Sequence, residues 1–306
     1  MIPSGFMLPN GVIAGAPRCG TTSLFAWLAA HPEVCASNTK ETLYLLDPSD
    51  PMFDKRRNYS RGGLDGYEVF FDDCSGPKTL VLEATPMYLY QQTALEVLSS
   101  LDPLPNIVFL FRKPSDRSYS HFHYMQDTKA RIDRNVSFRE FVELARNDDP
   151  RIEKLSTGDA GRVIAYSRYA EYLPVWLDHF PETHLHFFLF EDLTKDPASF
   201  AKTVADRLAI DPIFYDSYDF RRKNKSFRIR NAPLHRLKRS VGHRIPRRTR
   251  KRLKSVMAPV YRLNVDPAPV AVTSDELRVL EELEQYFEPY NERLAALTGL
   301  DLAPWR

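Results

Sequence analysis

Between Gly15 and Ser23 the chain reads Gly-Ala-Pro-Arg-Cys-Gly-Thr-Thr-Ser: one guanidinium and three hydroxyls on a turn that opens on Gly15 and turns at Gly20. Val12-Ile13-Ala14 precedes it and reads as a buried strand, and a helix with Leu24, Trp27 and Leu28 on its apolar face follows. A strand, a glycine turn and a helix start in that order aim free backbone N–H groups at one point, and the helix dipole adds partial positive charge there. Arg18 adds a full charge, so the chemistry on offer is the holding of an anion. The spacing is comparable with the P-loop G-x4-G-K-[ST]. Gly15, Gly20 and Thr22 fit, but Thr21 stands in the place of the lysine. A triphosphatase needs that lysine on the β- and γ-phosphates, so its absence argues against triphosphate chemistry. An ordinary βα turn is the plain alternative.

A second arginine, Arg112, closes the most apolar run of the chain, Asn106-Ile-Val-Phe-Leu-Phe111, and Ser120 follows eight positions later. On a strand end and the helix after it, the two supply a fork of donors and a hydroxyl to one phosphate. The strand at 79–83 ends in Glu83. Strands at 12–14, 33–36, 79–83, 106–111 and 185–190 alternate with helical segments at 21–28, 91–100 and 198–208, which predicts an α/β fold. The expected architecture is a single P-loop-like domain with a central, mostly parallel sheet flanked by helices on both faces. Ligands of such sheets sit at the carboxyl ends of the strands, where Arg18, Glu83 and Arg112 fall.

Elsewhere, 48–66 reads as an irregular excursion and 67–71 as a short helix or aromatic anchor. Ser137-Phe-Arg-Glu140 is a capping box opening a helix to Arg146. Residues 147–162 read as a loop, and 166–180 as a helix with Tyr169, Leu173, Trp176, Leu177 and Phe180 on its core face. Residues 221–254 hold 16 Lys/Arg, two histidines and no acid. Such a run seeks anions, as a phosphate clamp, a surface for acidic substrates or lipid headgroups, or a nucleic-acid patch. With Phe227 its sole aromatic, stacking recognition of single strands is disfavoured. A basic helix is expected over 247–257. A last helix over 273–300 is capped by Thr273-Ser-Asp-Glu276, with Leu277, Leu280, Leu283 and Phe287 as its buried stripe.

The 306 residues carry a net charge of only +2 and are 43% hydrophobic, so the whole chain is not a general polyanion binder. Three scattered cysteines without a CxxC pair argue against a disulfide framework or a zinc site and for a reducing compartment. No apolar run is long enough to span a bilayer, and the first residues lack the basic start and apolar core of a signal peptide. The expectation is a cytoplasmic protein.

These blocks together carry a family resemblance. The run 16–24 resembles the 5′-phosphosulfate loop of sulfotransferases that use 3′-phosphoadenosine-5′-phosphosulfate (PAPS), in the branch of bacterial and heparan-sulfate-type enzymes. The run 107–120 resembles their 3′-phosphate motif, 286–294 their usual ending, and Phe190-Glu-Asp-Leu193 is a weaker match. The resemblance implies PAPS as donor and PAP as product. No metal is expected, because the leaving group carries less charge than a triphosphate, the loop has its own cation, and the sequence shows no H-E-x-x-H or Cys/His cluster. Arg18, Cys19, Gly20, Thr21, Thr22 and Ser23 would hold the 5′-phosphosulfate, Arg112 and Ser120 the 3′-phosphate. A basic segment would fold partly over the nucleotide, with Lys223, Lys225, Arg228 and Arg230 in that region; Lys225 and Arg228 are the candidates. Lys40-Glu41 matches the block in which heparan-type members keep a catalytic glutamate, making Glu41 the candidate base and Glu83 and His121 the alternatives. Arg18 would also stabilise the leaving phosphate.

Three departures stand out. Arg18 replaces the lysine usual in the 5′ loop, Ala84 replaces a lysine that follows the glutamate at 83, and Phe190 replaces the tyrosine of cytosolic relatives. The acceptor class (carbohydrate, lipid, or small-molecule alcohol or amine) stays open, as do a homodimer and peripheral contact with anionic surfaces. Nucleic acid is disfavoured as a partner. The rival readings are a P-loop kinase of a small substrate and a non-catalytic anion or nucleic-acid binder working through 221–254.

Overall fold

The computed structural model describes residues 7–74, 78–129, 131–152, 161–220, 228–229, 265–266 and 272–306. Strands β1 (Gly11–Gly15), β2 (Val34–Ala36), β3 (Leu80–Ala84), β4 (Asn106–Phe111) and β5 (Leu185–Leu189) form one parallel sheet in the order β2-β3-β1-β4-β5. Every residue of β1 and β3 is buried, as expected of parallel strands covered on both faces. The chain leaves β1 for the β2 edge, returns to β3 beside β1, then crosses to β4 on the other flank. The strand order therefore reverses about β1, where open α/β sheets form their ligand crevice. Val12 pairs with both Glu83 and Ile107, which brings the carboxyl ends of β3, β1 and β4 side by side.

The described chain divides into two compact units. The first holds the described residues of 1–117, 166–223 and 284–306, including the five-stranded sheet. Its helices include α1 (Thr21–Leu28), α2 (Tyr59–Glu68) and α3 (Gln92–Ser99). Helix α4 (Pro114–His123) begins in this unit. Phe109 lies at the centre of its core, with the Trp176 ring edge-on at 5.2 Å and the Phe187 ring stacked at 5.9 Å. The indole of Trp176 donates to the Leu89 carbonyl (3.1 Å), so this large buried ring leaves no polar atom unsatisfied.

The second unit holds the described residues of 118–165 and 224–283. Its helix α5 (Phe138–Arg146) starts as the capping box predicts, with the Ser137 hydroxyl accepting from the Glu140 N–H at 3.1 Å. Phe122 packs against Phe138 and Phe141, and Arg139 bridges to Asp275 and Glu282 at 3.0 and 3.1 Å.

The sequence reading needs four corrections. Residues 48–66 are not wholly irregular: Asn58 caps α2, which Gly63 kinks at φ 55°. Residues 166–180 do not form one helix. Two 3-10 turns, Ala165–Ser167 and Tyr169–Glu171, precede α6 (Leu173–His179), because Pro174 has no N–H to continue a helix from upstream. After α7 (Phe190–Lys195) and α8 (Pro197–Arg207), the last helix α9 (Ser274–Thr298) buries Val279, Leu283, Phe287 and Leu294, while Leu277 is 52% exposed. Leu283 and Phe287 are buried as expected, whereas Val279 is buried in place of the half-buried Leu280. The basic helix expected over 247–257 lies outside the described residues.

The fourth correction concerns the cysteines. Cys35 on β2 and Cys74 form a disulfide across 39 positions, with a Cα–Cα distance of 5.6 Å, and Cys19 alone stays free and buried. Spacing along the chain is blind to two cysteines that the fold brings together at the sheet edge. The expectation of a reducing compartment thereby loses its basis. Among the described residues no helix is long and apolar enough to cross a membrane. Denatured without reductant, the protein is expected to titrate one thiol rather than three. Cys35→Ser is expected to lower unfolding stability by about 3–4 kcal/mol in urea, the chain-entropy scale for a loop of this size. Three titrated thiols would contradict the pairing.

Candidate active site at the carboxyl ends of the central strands

The turn after β1 is shaped by close packing and by two left-handed residues. At Gly15 a side chain would meet Phe109 at 2.9 Å, and the next N–H, that of Ala16, crosses to the Leu110 carbonyl of β4 (2.8 Å). Arg18 (φ 71°) and Gly20 (φ 87°) then turn the chain back into α1, with the Gly20 carbonyl accepting from the N–H groups of Ser23 and Leu24. A Cβ at Gly20 would lie 2.8 Å from the Phe190 ring, so only glycine suits both its conformation and its space. Cys19 is fully buried, its Sγ 3.5 Å from the Tyr169 hydroxyl. Burial pushes this thiol up, so it stays neutral and puts no negative charge inside an anion-directed turn.

Two side chains outside the turn brace it. Arg117, 1% exposed, donates from Nε to the Pro17 carbonyl (2.9 Å) and from a terminal nitrogen to the Ser167 hydroxyl (2.7 Å). Tyr169 donates its hydroxyl to the Arg112 carbonyl (3.0 Å). The same two residues therefore hold the turn after β1 and the backbone just past β4.

Arg112 is the first residue beyond β4, and its guanidinium lies over the Phe190 ring at 4.7 Å. Its Nε is buried with no hydrogen-bond partner among the described residues. A guanidinium with an unused buried donor fits an arriving oxyanion. Its neighbour Lys113 is fastened: the backbone N–H donates to one Glu191 oxygen (3.2 Å), and the ammonium pairs with Glu284 (2.6 Å). Trp305 donates to the other Glu191 oxygen (2.9 Å). The Phe190-Glu-Asp-Leu block thus supplies the ring beneath Arg112 and the carboxylate beneath Lys113.

Beside β1, strand β3 carries the third group. Glu83 is fully buried, and its Oε1 accepts from the hydroxyls of Thr85 (2.6 Å) and Thr42 (2.9 Å). Burial pushes its carboxyl up to about 7, opposed by those two hydroxyls and by Lys40. The segment after β2 runs alongside, with the N–H of Ser37 donating to Leu82 and that of Glu41 to Ala84 (2.8 and 2.9 Å). Glu41 has a left-handed backbone (φ 61°) and an exposed side chain paired with Lys40 at 2.7 Å.

Arg18, Cys19, Gly20, Thr21, Thr22, Ser23 and Arg112 accordingly lie in one unit, at the ends of neighbouring strands β1 and β4, with Glu83 and Glu41 at β3. Ser120 and the buried His121 lie on α4 in the second unit. Arg228 is described only by its backbone, in the two-residue strand β6 (Arg228–Ile229) paired antiparallel with β7 (Val265–Asp266). Lys223, Lys225 and Arg230 lie outside the described residues. The sequence reading overlooked Arg117, Tyr169 and the Thr42–Thr85–Tyr88 set. Nothing local marks Arg117, an arginine between Arg112 and Ser120, or Tyr169 as a brace.

Two outcomes are expected. Gly20→Ala places a Cβ at positive φ against Phe190, and its urea unfolding free energy should fall by at least about 1 kcal/mol. A raised carboxyl pKa means that the folded state holds the Glu83 proton more tightly than the unfolded chain does. This stability is full below about 4.5 and is lost as pH rises through about 7. Between pH 5 and 8 the wild type should lose on the order of 3 kcal/mol relative to Glu83→Gln in urea titrations. Parallel pH curves for the two would remove the buried proton from the description.

The sulfotransferase domain family matches residues 8–232. The human bifunctional heparan sulfate N-deacetylase/N-sulfotransferase 3 is 26% identical over 206 residues, 67% of this chain but 23% of that protein. The mouse heparan sulfate glucosamine 3-O-sulfotransferase 6 is 24% identical over 303 residues, 98% of this chain and 74% of that protein. Among solved structures, a sulfotransferase from Alicyclobacillus acidocaldarius superposes with a TM-score of 0.67 at 23% identity, covering 98% of this chain and 99% of that one, which shows the fold. An anion-directed turn after β1, an arginine with a buried open donor after β4, and a family match running through both lead to one statement: the chain belongs to the sulfotransferase domain family.

Proposed function

We propose that the protein moves the sulfuryl group of PAPS to a hydroxyl or amine of a carbohydrate acceptor, without a metal. The observation that carries this reading is the alignment of three groups on three adjacent strand ends: the Arg18–Ser23 turn after β1, Arg112 after β4, and Glu41 bonded through its backbone to the end of β3. The names of the relatives, heparan sulfate N- and 3-O-sulfotransferases, support a carbohydrate acceptor and both acceptor atoms.

The donor supplies a sulfuryl group: the acceptor oxygen or nitrogen forms a bond to sulfur, the bond from sulfur to the phosphate oxygen breaks, and that oxygen keeps the electron pair. The protein's part in such a transfer is positioning and charge stabilisation. Arg18 and the N–H groups at the start of α1, with the hydroxyls of Thr21, Thr22 and Ser23, hold the 5′ end and take up the charge of the leaving phosphate. In this reading the unused Nε of Arg112 takes an oxygen of the 3′-phosphate. Glu41 accepts the proton of the attacking acceptor. Its backbone is left-handed and its carboxylate pairs with Lys40. Arginine in place of lysine at 18 offers a planar fork of donors where an ammonium offers a point charge.

Arg112→Ala is expected to weaken PAP binding about 10- to 100-fold by calorimetry, the scale of one charge-assisted hydrogen bond. Glu41→Gln should lower kcat by about 10²–10⁴-fold, with PAP affinity unchanged. An unchanged kcat would remove Glu41 from the role. Magnesium-dependent ATP hydrolysis without sulfate transfer would favour the kinase. Salt-steep nucleic-acid binding that ignores Arg112→Ala would favour the non-catalytic binder.

A further inference from the structure

We propose that Glu83 is a positioning residue for Glu41, acting through the hydroxyl of Thr42. The inference rests on the reading of Glu41 as the general base and says how that base is kept in place.

Proton count sets the direction of each bond. A threonine hydroxyl has one proton to give. Thr42 and Thr85 both give theirs to Oε1 of Glu83, at 2.9 and 2.6 Å. Their oxygens are left to accept, and each does so from the segment that carries Glu41 or from what braces it. Thr42 Oγ1 accepts from the Tyr44 N–H (3.3 Å), and its 2.9 Å contact with the Tyr88 hydroxyl must run from tyrosine to threonine. Tyr88 in turn accepts from the Leu45 N–H (3.3 Å), and Thr85 accepts from the Leu43 N–H (3.4 Å). One buried acceptor thereby orders the N–H groups of residues 43, 44 and 45.

Those residues need ordering. Glu41 and Leu43 both have left-handed backbones (φ 61° and 56°), a conformation that costs about 1–3 kcal/mol unless its surroundings impose it. Upstream, the Glu41 N–H is already tied to Ala84. Downstream, the anchor is the hydroxyl of the next residue, Thr42. The charged and titratable groups facing Glu83 are Lys40 and Tyr88, with Tyr67 of α2 behind them.

Because burial holds the Glu83 carboxyl near 7, its acceptor strength changes across the neutral range. The ionised form takes both hydroxyl bonds strongly, and the protonated form is a weaker acceptor. The catalytic rate should therefore rise with pH through about 7, although Glu83 touches no substrate.

The test is a steady-state kinetic series on the full chain, with PAPS and a glucosamine-containing oligosaccharide, and with PAP affinity measured for every variant as a check of folding. Thr42→Val should lower kcat about 10-fold or more, Thr42→Ser should restore it, and PAP affinity should not change. In a Glu41→Gln background, Thr42→Val should cost less than about 2-fold, because the group being positioned is gone. Glu83→Gln keeps an oxygen for both threonines but cannot titrate, so the limb of the kcat–pH profile near 7 should vanish. Three results would overturn the proposal: Thr42→Val without effect on kcat, full additivity of Thr42→Val with an impaired Glu41→Gln, or an unchanged pH limb in Glu83→Gln. A silent Glu41→Gln would sink the general-base reading itself, and this proposal with it. Additivity over an impaired Glu41→Gln would sink only the positioning.

Discussion

The guanidinium of Arg117 is the interaction on which the arrangement turns. It is nearly sealed from water, and it spends donors on a carbonyl of the turn after β1 and on the Ser167 hydroxyl. A buried charge is tolerated only where hydrogen bonds replace its hydration, so a turn that moved would take from the Arg117 Nε its bond to the Pro17 carbonyl. The turn is thus rigid for an electrostatic reason as well as a steric one. Tyr169 extends the same brace to the backbone beneath Arg112 and to Cys19. Two positive groups, Arg18 and Arg112, are held by a frame that does not itself require an anion.

The site also separates its charges by burial. The positive groups stand past the ends of β1 and β4, and the fully buried carboxyl of Glu83 sits apart at β3, its ionisation pushed up to about 7. A neutral thiol at Cys19 follows the same logic. Glu191, which would repel an anion, is occupied on both oxygens by Lys113 and Trp305.

How far the amino-acid order disclosed this can be judged residue by residue. Strands such as 106–111 were legible because a parallel strand buried on both faces is apolar throughout, and the turn after β1 because glycine, arginine and hydroxyls in that order have few other uses. Arg112 was legible from its place at a strand end. Arg117 was not, since a buried guanidinium differs from a surface one only by its surroundings. The Thr42–Glu83–Thr85 set joins residues 41 positions apart, and no periodicity records a hydroxyl's direction. Residues 166–180 misled because their apolar spacing suits a helix that Pro174 forbids, and the Cys35–Cys74 link because pairing is a property of the fold.

That link has a consequence for how such a protein diversifies. It closes residues 36–73 into a covalent ring whose upstream stretch, with Glu41, is fastened to β3, while the downstream stretch, including α2, is the excursion beyond. Lengthening a closed ring costs little in entropy, roughly 0.6 kcal/mol per doubling. Insertions beyond residue 45 can therefore be absorbed by the ring's far side without shifting the β3-fastened stretch, leaving the periphery open to evolutionary change around a fixed reaction geometry.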